Sequence, residues 1–422
     1  MVDASLVIGG TVVFIAIMAF LGYLGWRKTK SGEEFLLAGK NVNPWIIGLS
    51  YGSTFISTAA IVGFGGYAAT WGMGIIWLAA LNIAIGLLLA FVLFGKRVRR
   101  LGQKLNVQTF PELLGKSYNS HFIRWFTALV ILIGMPLYAA AVLIGGSTFM
   151  DTIIPGLDFN GALIIFTVVT AVYVITGGLR AVMYTDAFQG TLMIVGMTII
   201  LIITIGLLGG IESANQQLTD LAPQVPAKLA SQGMNGWTAA PSLGSENWIG
   251  LVCTIILPVG IGVLAQPQLA IRFMCAKDTK SINRAIPIGA IFLLLTVGIA
   301  YVIGAWSNVW FWNNTNPSVI ASVAAGSTDN IIPLFIERSM PEIVTVIFLL
   351  TLLSAAMSTL SSLFHVMGSA AGYDLWSSVR KLKFVPQKYS CNGSSIASLR
   401  ANQIGTTIMI LIAFIIVLAL PR

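Results

Sequence analysis

Apolar runs of about twenty residues recur along the chain, separated by short polar connections. At that length a helix crosses the ~30 Å hydrocarbon core of a bilayer. The pattern predicts ten membrane-spanning helices, at 4–25, 44–70, 73–95, 121–149, 160–177, 183–209, 246–274, 285–308, 341–370 and 401–420. The first run is too long for a signal-peptide core and has neither a basic leader nor a small-residue cleavage site, so it reads as a retained span. The expected fold is an all-α polytopic membrane protein.

Three of these runs are poor lipid-facing helices. In the second, Ser50, Ser53, Thr54, Ser57 and Thr58 crowd five hydroxyls into nine residues, and Gly63, Gly65 and Gly66 follow. Glycine costs about 1 kcal/mol relative to alanine inside a helix, so the segment is easily unwound. Irregular backbone at membrane depth is tolerated only where it is buried in protein or lines a cavity. An unwound turn frees carbonyl oxygens, and the hydroxyls add neutral ligands suited to a desolvated Na⁺. A small-residue packing face explains the same composition equally well. The seventh run carries Pro258, Gly260, Gly262 and Pro267. Pro267 removes a backbone donor and clashes with the carbonyl four residues back, so a break is expected at Gln266–Pro267–Gln268. Interrupted spans in corresponding positions of two halves point to a transporter's central site. The ninth run is the second oxygen-rich helix, with Ser354, Ser358, Thr359, Ser361 and Ser362. Each hydroxyl could bond back to its own helix, but five together favour a lined cavity.

Composition agrees: 56% of the residues are hydrophobic and 9% charged, with mean hydropathy +0.87. Soluble domains carry about 25% charged residues. The net charge of +9 lies in short loops rather than one basic patch, which argues against nucleic-acid binding. With the N-terminus outside, all 24 basic residues except Lys228, Arg338 and Arg422 fall on one side, Arg272 among them. Basic loops mark the cytoplasmic side. A wrong span count would scramble this partition, so it supports both count and orientation.

Chemistry-bearing residues are few. Cys253, Cys275 and Cys391 are far apart, and His121 and His365 are isolated. No nucleophile–base pair or metal-ligand spacing emerges, so the reading is a non-enzyme without cofactor. His365, on an apolar helix, reads as a packed core residue. The stretch GGLRAVMYTDAFQG at 177–190 puts Asp186 inside a span. Intramembrane acids are expensive and functional by default; the competing reading is an interfacial cap or a partner for Arg180.

Taken together, GGLRAVMYTDAFQG, AQPQLAIRFMCAKDTKSINRA, and AAMSTLSS followed by GYDLW resemble motifs of the sodium:solute symporter family, in order and across essentially the whole chain. The resemblance implies a core of two inverted five-helix repeats with two broken helices, 44–70 and 246–274. It divides the chain into a peripheral helix and loop at 1–43, a first repeat at 44–209, an extracellular segment at 210–245 and a second repeat at 246–422. It implies Na⁺ as coupling ion, held by carbonyls of Ser53, Ile56 and Ala355 and hydroxyls of Ser358 and Thr359. It implies a small organic solute among Phe55, Ser57, Thr58, Tyr138, Gln266, Pro267 and Gln268, and Asp186 on the ion route. Proline carriers of the family have an acid at the position of Phe55 and aromatics at those of Val259 and Val263, so these positions look more like the pantothenate carriers. The family has about thirteen spans. Ten are read here, so the second repeat is expected to lack its last helix through a C-terminal truncation.

The resulting expectation is Na⁺-coupled symport of a small organic solute such as a carboxylate, a vitamin or an amino acid, across the plasma membrane. The alternatives are a proton-coupled carrier working through Asp186, or a non-transporting relic or receptor. The oligomeric state stays open.

Overall fold

A computed structural model of the chain describes residues 3–154, 156–375 and 396–420. Arg380, Lys381, Lys383, Lys388, Cys391 and Arg422 lie outside the described residues. The principal helices in chain order are α1 (Ala4–Lys28), α2 (Gly32–Leu37), α3 (Pro44–Phe55), α4 (Ala59–Trp71), α5 (Met73–Lys104) and α6 (Phe110–Ser117). There follow α7 (His121–Ile153), α8 (Phe159–Leu207), α9 (Ile211–Asp220), α10 (Glu246–Ala265), α11 (Pro267–Met274), α12 (Thr279–Asn314), α13 (Ile331–Ser339), α14 (Glu342–Leu375) and α15 (Ile396–Ala419). The one β-type contact among the described residues is an isolated bridge between Val42 and Ala276.

Among the described residues eight helices are long and apolar enough to cross a membrane, and the bent pair α3–α4 makes nine. The 49 residues of α8 would reach about 74 Å if straight, more than twice a hydrocarbon core. They are not straight, because Gly178 adopts φ 58°, ψ −153° and divides α8 into arms 159–177 and 179–207. A side chain at residue 178 would be strained at that φ and would also strike Phe35. The two arms account for the tenth crossing, and the break falls where Gly177–Gly178 predicted it. α10 and α11 together make one broken crossing. It lies five crossings after α3–α4 and therefore runs the opposite way.

The helix ends follow their sequence. Asp3, Ser31, Asn43, Thr109, Ser120, Asp158 and Asp278 each accept a backbone N–H of the first turn they precede. The same interaction at Asp278, with the Ser281 hydroxyl and amide both on its carboxylate, holds its pKa below the usual carboxylate value. The helix most enclosed by others is α14, which packs on α8, α7, α15 and α3. The basic connections gather at one end of the bundle. Arg99 donates to the carbonyls of Ala276 and Lys277, Arg124 pairs with Asp374 at 2.9 Å, and Arg180 donates to the Ala38 carbonyl at 2.7 Å. At the opposite end Trp237, from the long connection after α9, is fully buried and donates its indole N–H to the Ala69 carbonyl at 2.6 Å.

Three local expectations need correction. The glycines of 63–66 do not unwind the second crossing. Gly65 and Gly66 are instead points of close approach: a Cβ on Gly66 would lie 2.0 Å from the Thr328 carbonyl, and one on Gly304 would lie 2.0 Å from the Gly65 carbonyl. Pro258 does not break its helix. It follows a wider-wound stretch at Gly250–Ile256, and the helix runs on through it to Gly262. Arg272 is not a loop residue: it is fully buried.

Candidate functional site

Both breaks fall beside α14. α3 stops at Phe55 because Ile56 turns to extended backbone (φ −91°, ψ 105°), and α4 resumes at Ala59 with its axis bent by 64°. The last carbonyls of a helix have no partner within it. Here α14 supplies them: the Ser358 hydroxyl donates to the Ser53 carbonyl at 2.8 Å, and the Thr359 hydroxyl donates to the Thr54 carbonyl at 3.2 Å. Ser358 Oγ is also 3.2 Å from the Ala355 carbonyl. Ser53, Ala355 and Ser358 thus bring three oxygens together at the negative end of the α3 dipole. Thr359 lies one residue along, on Thr54 rather than on Ile56. The Ile56 N–H closes the last turn of α3 onto Gly52 at 3.0 Å, which places the Ile56 carbonyl at the break itself.

The hydroxyls of α14 divide by role. Ser354 bonds back to the Leu350 carbonyl at 2.7 Å, as an ordinary helix serine does. Ser358, Thr359, Ser361 and Ser362 all reach groups on other helices. His365 is buried, with Nε2 3.0 Å from the Phe35 carbonyl, a packed core residue as expected.

Next to these oxygens lies a buried ion pair. Asp186, on the second arm of α8, sits 2.9 Å from the Arg272 guanidinium of α11, and neither side chain is exposed. Asp186 Oδ2 also accepts from Ser50 at 2.7 Å and Thr54 at 3.2 Å. The guanidinium donates in addition to Ser50, Thr54 and Ser362 and to the Gln268 carbonyl. α3, α8, α11 and α14 therefore meet in one network. A buried charge pair persists only when its remaining donors and acceptors are satisfied in this way. Arg180, the partner first considered for Asp186, is engaged at Ala38 instead. One turn beyond Asp186, Gln189 is buried with neither amide atom bonded. Its neighbour Gly190 packs against Ser53.

The expected solute residues gather around the two breaks. Phe55, Ser57 and Thr58 are half-buried, whereas Ser50 to Thr54 are buried. The Phe55 ring approaches Gly86 beside Val263, the Tyr138 hydroxyl faces Ser57, and Thr58 Oγ1 lies 3.5 Å from the Leu352 carbonyl. At the second break Gln266 is extended (φ −75°, ψ 115°), the conformation imposed on a residue preceding proline. Pro267 opens α11, and Gln268 donates to the Gln266 side chain at 2.9 Å while its own Oε1 is unbonded.

The donor set suits Na⁺. It is made of neutral carbonyl and hydroxyl oxygens, the Gln189 amide oxygen is spare, and among the described residues no thiolate or imidazole joins it. Hard monovalent or divalent cations take oxygen ligands, and the absence of a carboxylate among Ser53, Ile56, Ala355, Ser358 and Thr359 favours the single charge.

A profile of the sodium:solute symporter family matches residues 35–419. A sodium/pantothenate symporter of Haemophilus influenzae is 30% identical over 388 residues, covering 92% of this chain and 75% of its own length. A sodium/proline symporter of Salmonella typhimurium is 27% identical, covering 86% of this chain and 69% of that protein. Among solved structures, the substrate-bound outward-open state of a Na⁺-coupled sialic acid symporter superposes with TM-score 0.79 at 21% identity, over 98% of this chain and 80% of the other. A nucleobase–cation symporter matches at TM-score 0.54 and 12% identity.

Proposed function

The chain belongs to the sodium:solute symporter family, an all-α membrane fold with an inverted-repeat core and two broken helices, and we propose that it couples Na⁺ at the α3–α14 contact to the movement of a small organic carboxylate. The observation that carries this reading is the convergence of the Ser53 and Ala355 carbonyls on the Ser358 hydroxyl at the end of a broken helix. When Na⁺ binds, Ser358 and Thr359 turn their lone pairs to the ion, and the Ser53 and Ala355 carbonyls that Ser358 now satisfies become ligands with them. Ile56 supplies the carbonyl at the break. The ion then ties α3 to α14 by coordination in place of two hydrogen bonds.

The solute lies one layer away, where the N-terminal end of α4 offers unpaired N–H groups and the positive end of a helix dipole. That end suits a carboxylate. Ser57, Thr58, Tyr138 and the Gln266–Pro267–Gln268 turn supply neutral hydrogen bonds, and Phe55 an apolar wall. No acid lies at Phe55 to hold an amine, which favours a monocarboxylate with hydroxyl or amide groups, of the pantothenate kind, over an amino acid. Asp186 and Arg272 stand between this layer and the basic end of the bundle, which we assign to the cytoplasm, with the N-terminus outside. Coupling to protons through Asp186 is the second reading, and uptake that follows a proton gradient equally well in Na⁺ and in K⁺ would favour it.

The test is an uptake screen of radiolabelled pantothenate, proline and simple hydroxycarboxylates in Na⁺ and in K⁺ media. Na⁺-dependent uptake of a carboxylate supports the reading. Uptake of proline alone would overturn the assignment of solute class.

A further inference from the structure

At the basic end of the bundle a cleft of about 130 Å³ opens between the segment leading into α3 and the bend of α8. Its rim is polar, from Asn41, Asn43, Arg180 and Tyr184, and its floor is apolar, from Val42 and Ile46. None of these residues belongs to the ion or solute layer.

The charge in this cleft is uncompensated. Arg180 makes one hydrogen bond, to the Ala38 carbonyl, and its Nε is buried without a partner. Among the described residues no carboxylate lies within 4.0 Å of it, and the stretches outside them contain no Asp or Glu. The nearby acid, Glu34, is turned to the Lys30 amide at 2.7 Å. A second cation stands at the rim, with Lys28 Nζ 5.7 Å from the centre of the Tyr184 ring. A partly buried guanidinium with an unused donor, beside amide and phenol donors, calls for an anion with several acceptor oxygens.

The level of the cleft says which anion. Trp26 and Trp45 flank it in sequence and are 52% and 66% exposed, and Tyr23 is 48% exposed beside Arg27. Exposed Trp and Tyr at the end of apolar helices sit at the headgroup layer. The ring of basic loops around it draws anionic lipid to this surface.

We infer that the cleft lined by Arg180, Asn41, Asn43 and Tyr184, with Lys28 over the Tyr184 ring, binds the phosphate of an anionic phospholipid headgroup, which ties the lead-in of α3 to α8. Both helices carry the Asp186–Arg272–Ser50 network, so a lipid held here braces the region that must move when the inner side opens. Free phosphate offers the same oxygens without the glyceride to lie along Val42 and Ile46, so the two sources can be told apart.

The experiment follows the unfolding temperature of the detergent-purified chain during titration with short-chain phosphatidylglycerol. The controls are phosphatidylcholine of the same chain length and potassium phosphate. The expected result is saturable protection by phosphatidylglycerol alone. Each basic residue near a membrane surface adds about 1 kcal/mol, so Arg180→Gln should weaken the half-saturating concentration by roughly five-fold and Lys28→Gln by about as much. Arg180→Gln also loses the bond to Ala38, and Lys28→Gln and Asn41→Ala keep the test valid if that variant folds poorly. Equal protection by phosphatidylcholine would overturn the inference. Protection by potassium phosphate at the same concentration would reassign the cleft to a free anion. An equal loss in Arg97→Gln/Arg100→Gln, which do not line the cleft, would reduce the effect to general surface charge.

Discussion

Arg272 and Asp186 face each other at 2.9 Å with neither side chain reached by solvent, and they join the second broken crossing to the second arm of α8. Removing one member of such a pair leaves an uncompensated buried charge. Asp186→Asn and Arg272→Gln should each destabilise the protein by ~3–5 kcal/mol. The double variant should recover much of that loss, since two neutral amides can bond to each other and to Ser50 and Thr54. Thermal unfolding of the four proteins gives the coupling directly. Additive losses would show that the two residues act apart.

The hydroxyls of α14 provide an internal control. Ser354 bonds within its own helix and Ser358 and Thr359 reach α3. Each neutral hydroxyl is worth on the order of 1 kcal/mol net. Ser358→Ala/Thr359→Ala should therefore raise the Na⁺ concentration for half-maximal uptake roughly ten-fold or more, and Ser354→Ala should leave it in place. An equal response of Ser354→Ala would mean that packing of α14, not ligation, sets the Na⁺ dependence.

At the second break, Pro267 steers Gln266 away from a helical conformation, and Gln266 is extended. Pro267→Ala lets α10 run on into α11 and withdraws the Gln266–Gln268 turn from the solute layer. The expected outcome is a several-fold rise in the KM for solute with the Na⁺ dependence little changed. A shift in Na⁺ dependence alone would place this turn at the ion instead.

For orientation, single cysteines introduced in 212–240 on a Cys253→Ala/Cys275→Ala/Cys391→Ala background should react with an impermeant maleimide added to intact cells. Those in 98–118 should react only after permeabilisation. The reverse pattern would invert the topology.

The sequence made the ten crossings, both breaks and the oxygen-rich faces legible, because hydropathy, proline and hydroxyl clusters are local signals. What it hid depends on neighbours. The glycines at 65 and 66 looked like a place to unwind, but Thr328 and Gly304 approach there too closely for any side chain. Ser354 and Ser358 share a face of one helix and differ only in which has a broken helix opposite it. Arg272 reads as a loop cation from sequence because it lies near the inner end of its span. A signal was present all the same: two opposite charges, Asp186 and Arg272, each fell inside a predicted span, and the cost of leaving either unpaired would have joined them. Arg180 is the nearer partner for Asp186 in sequence, but it lies just past the bend at Gly178 and donates to Ala38.

The central claim is that Ser53, Ile56, Ala355, Ser358 and Thr359 form the Na⁺ site. It is tested most directly by the unfolding temperature of the purified protein in Na⁺ against K⁺ at equal ionic strength, with no solute present. A ligand that binds only the folded state stabilises it by about 2.7 kcal/mol at one hundred times its Kd. The account predicts that saturating Na⁺ raises the unfolding temperature by several degrees over K⁺, and that Ser358→Ala/Thr359→Ala cuts the difference to about half or less at the same Na⁺ concentration while Ser354→Ala keeps it. A Na⁺-specific rise that survives intact in Ser358→Ala/Thr359→Ala would contradict it, and would leave those two hydroxyls as caps for the end of α3.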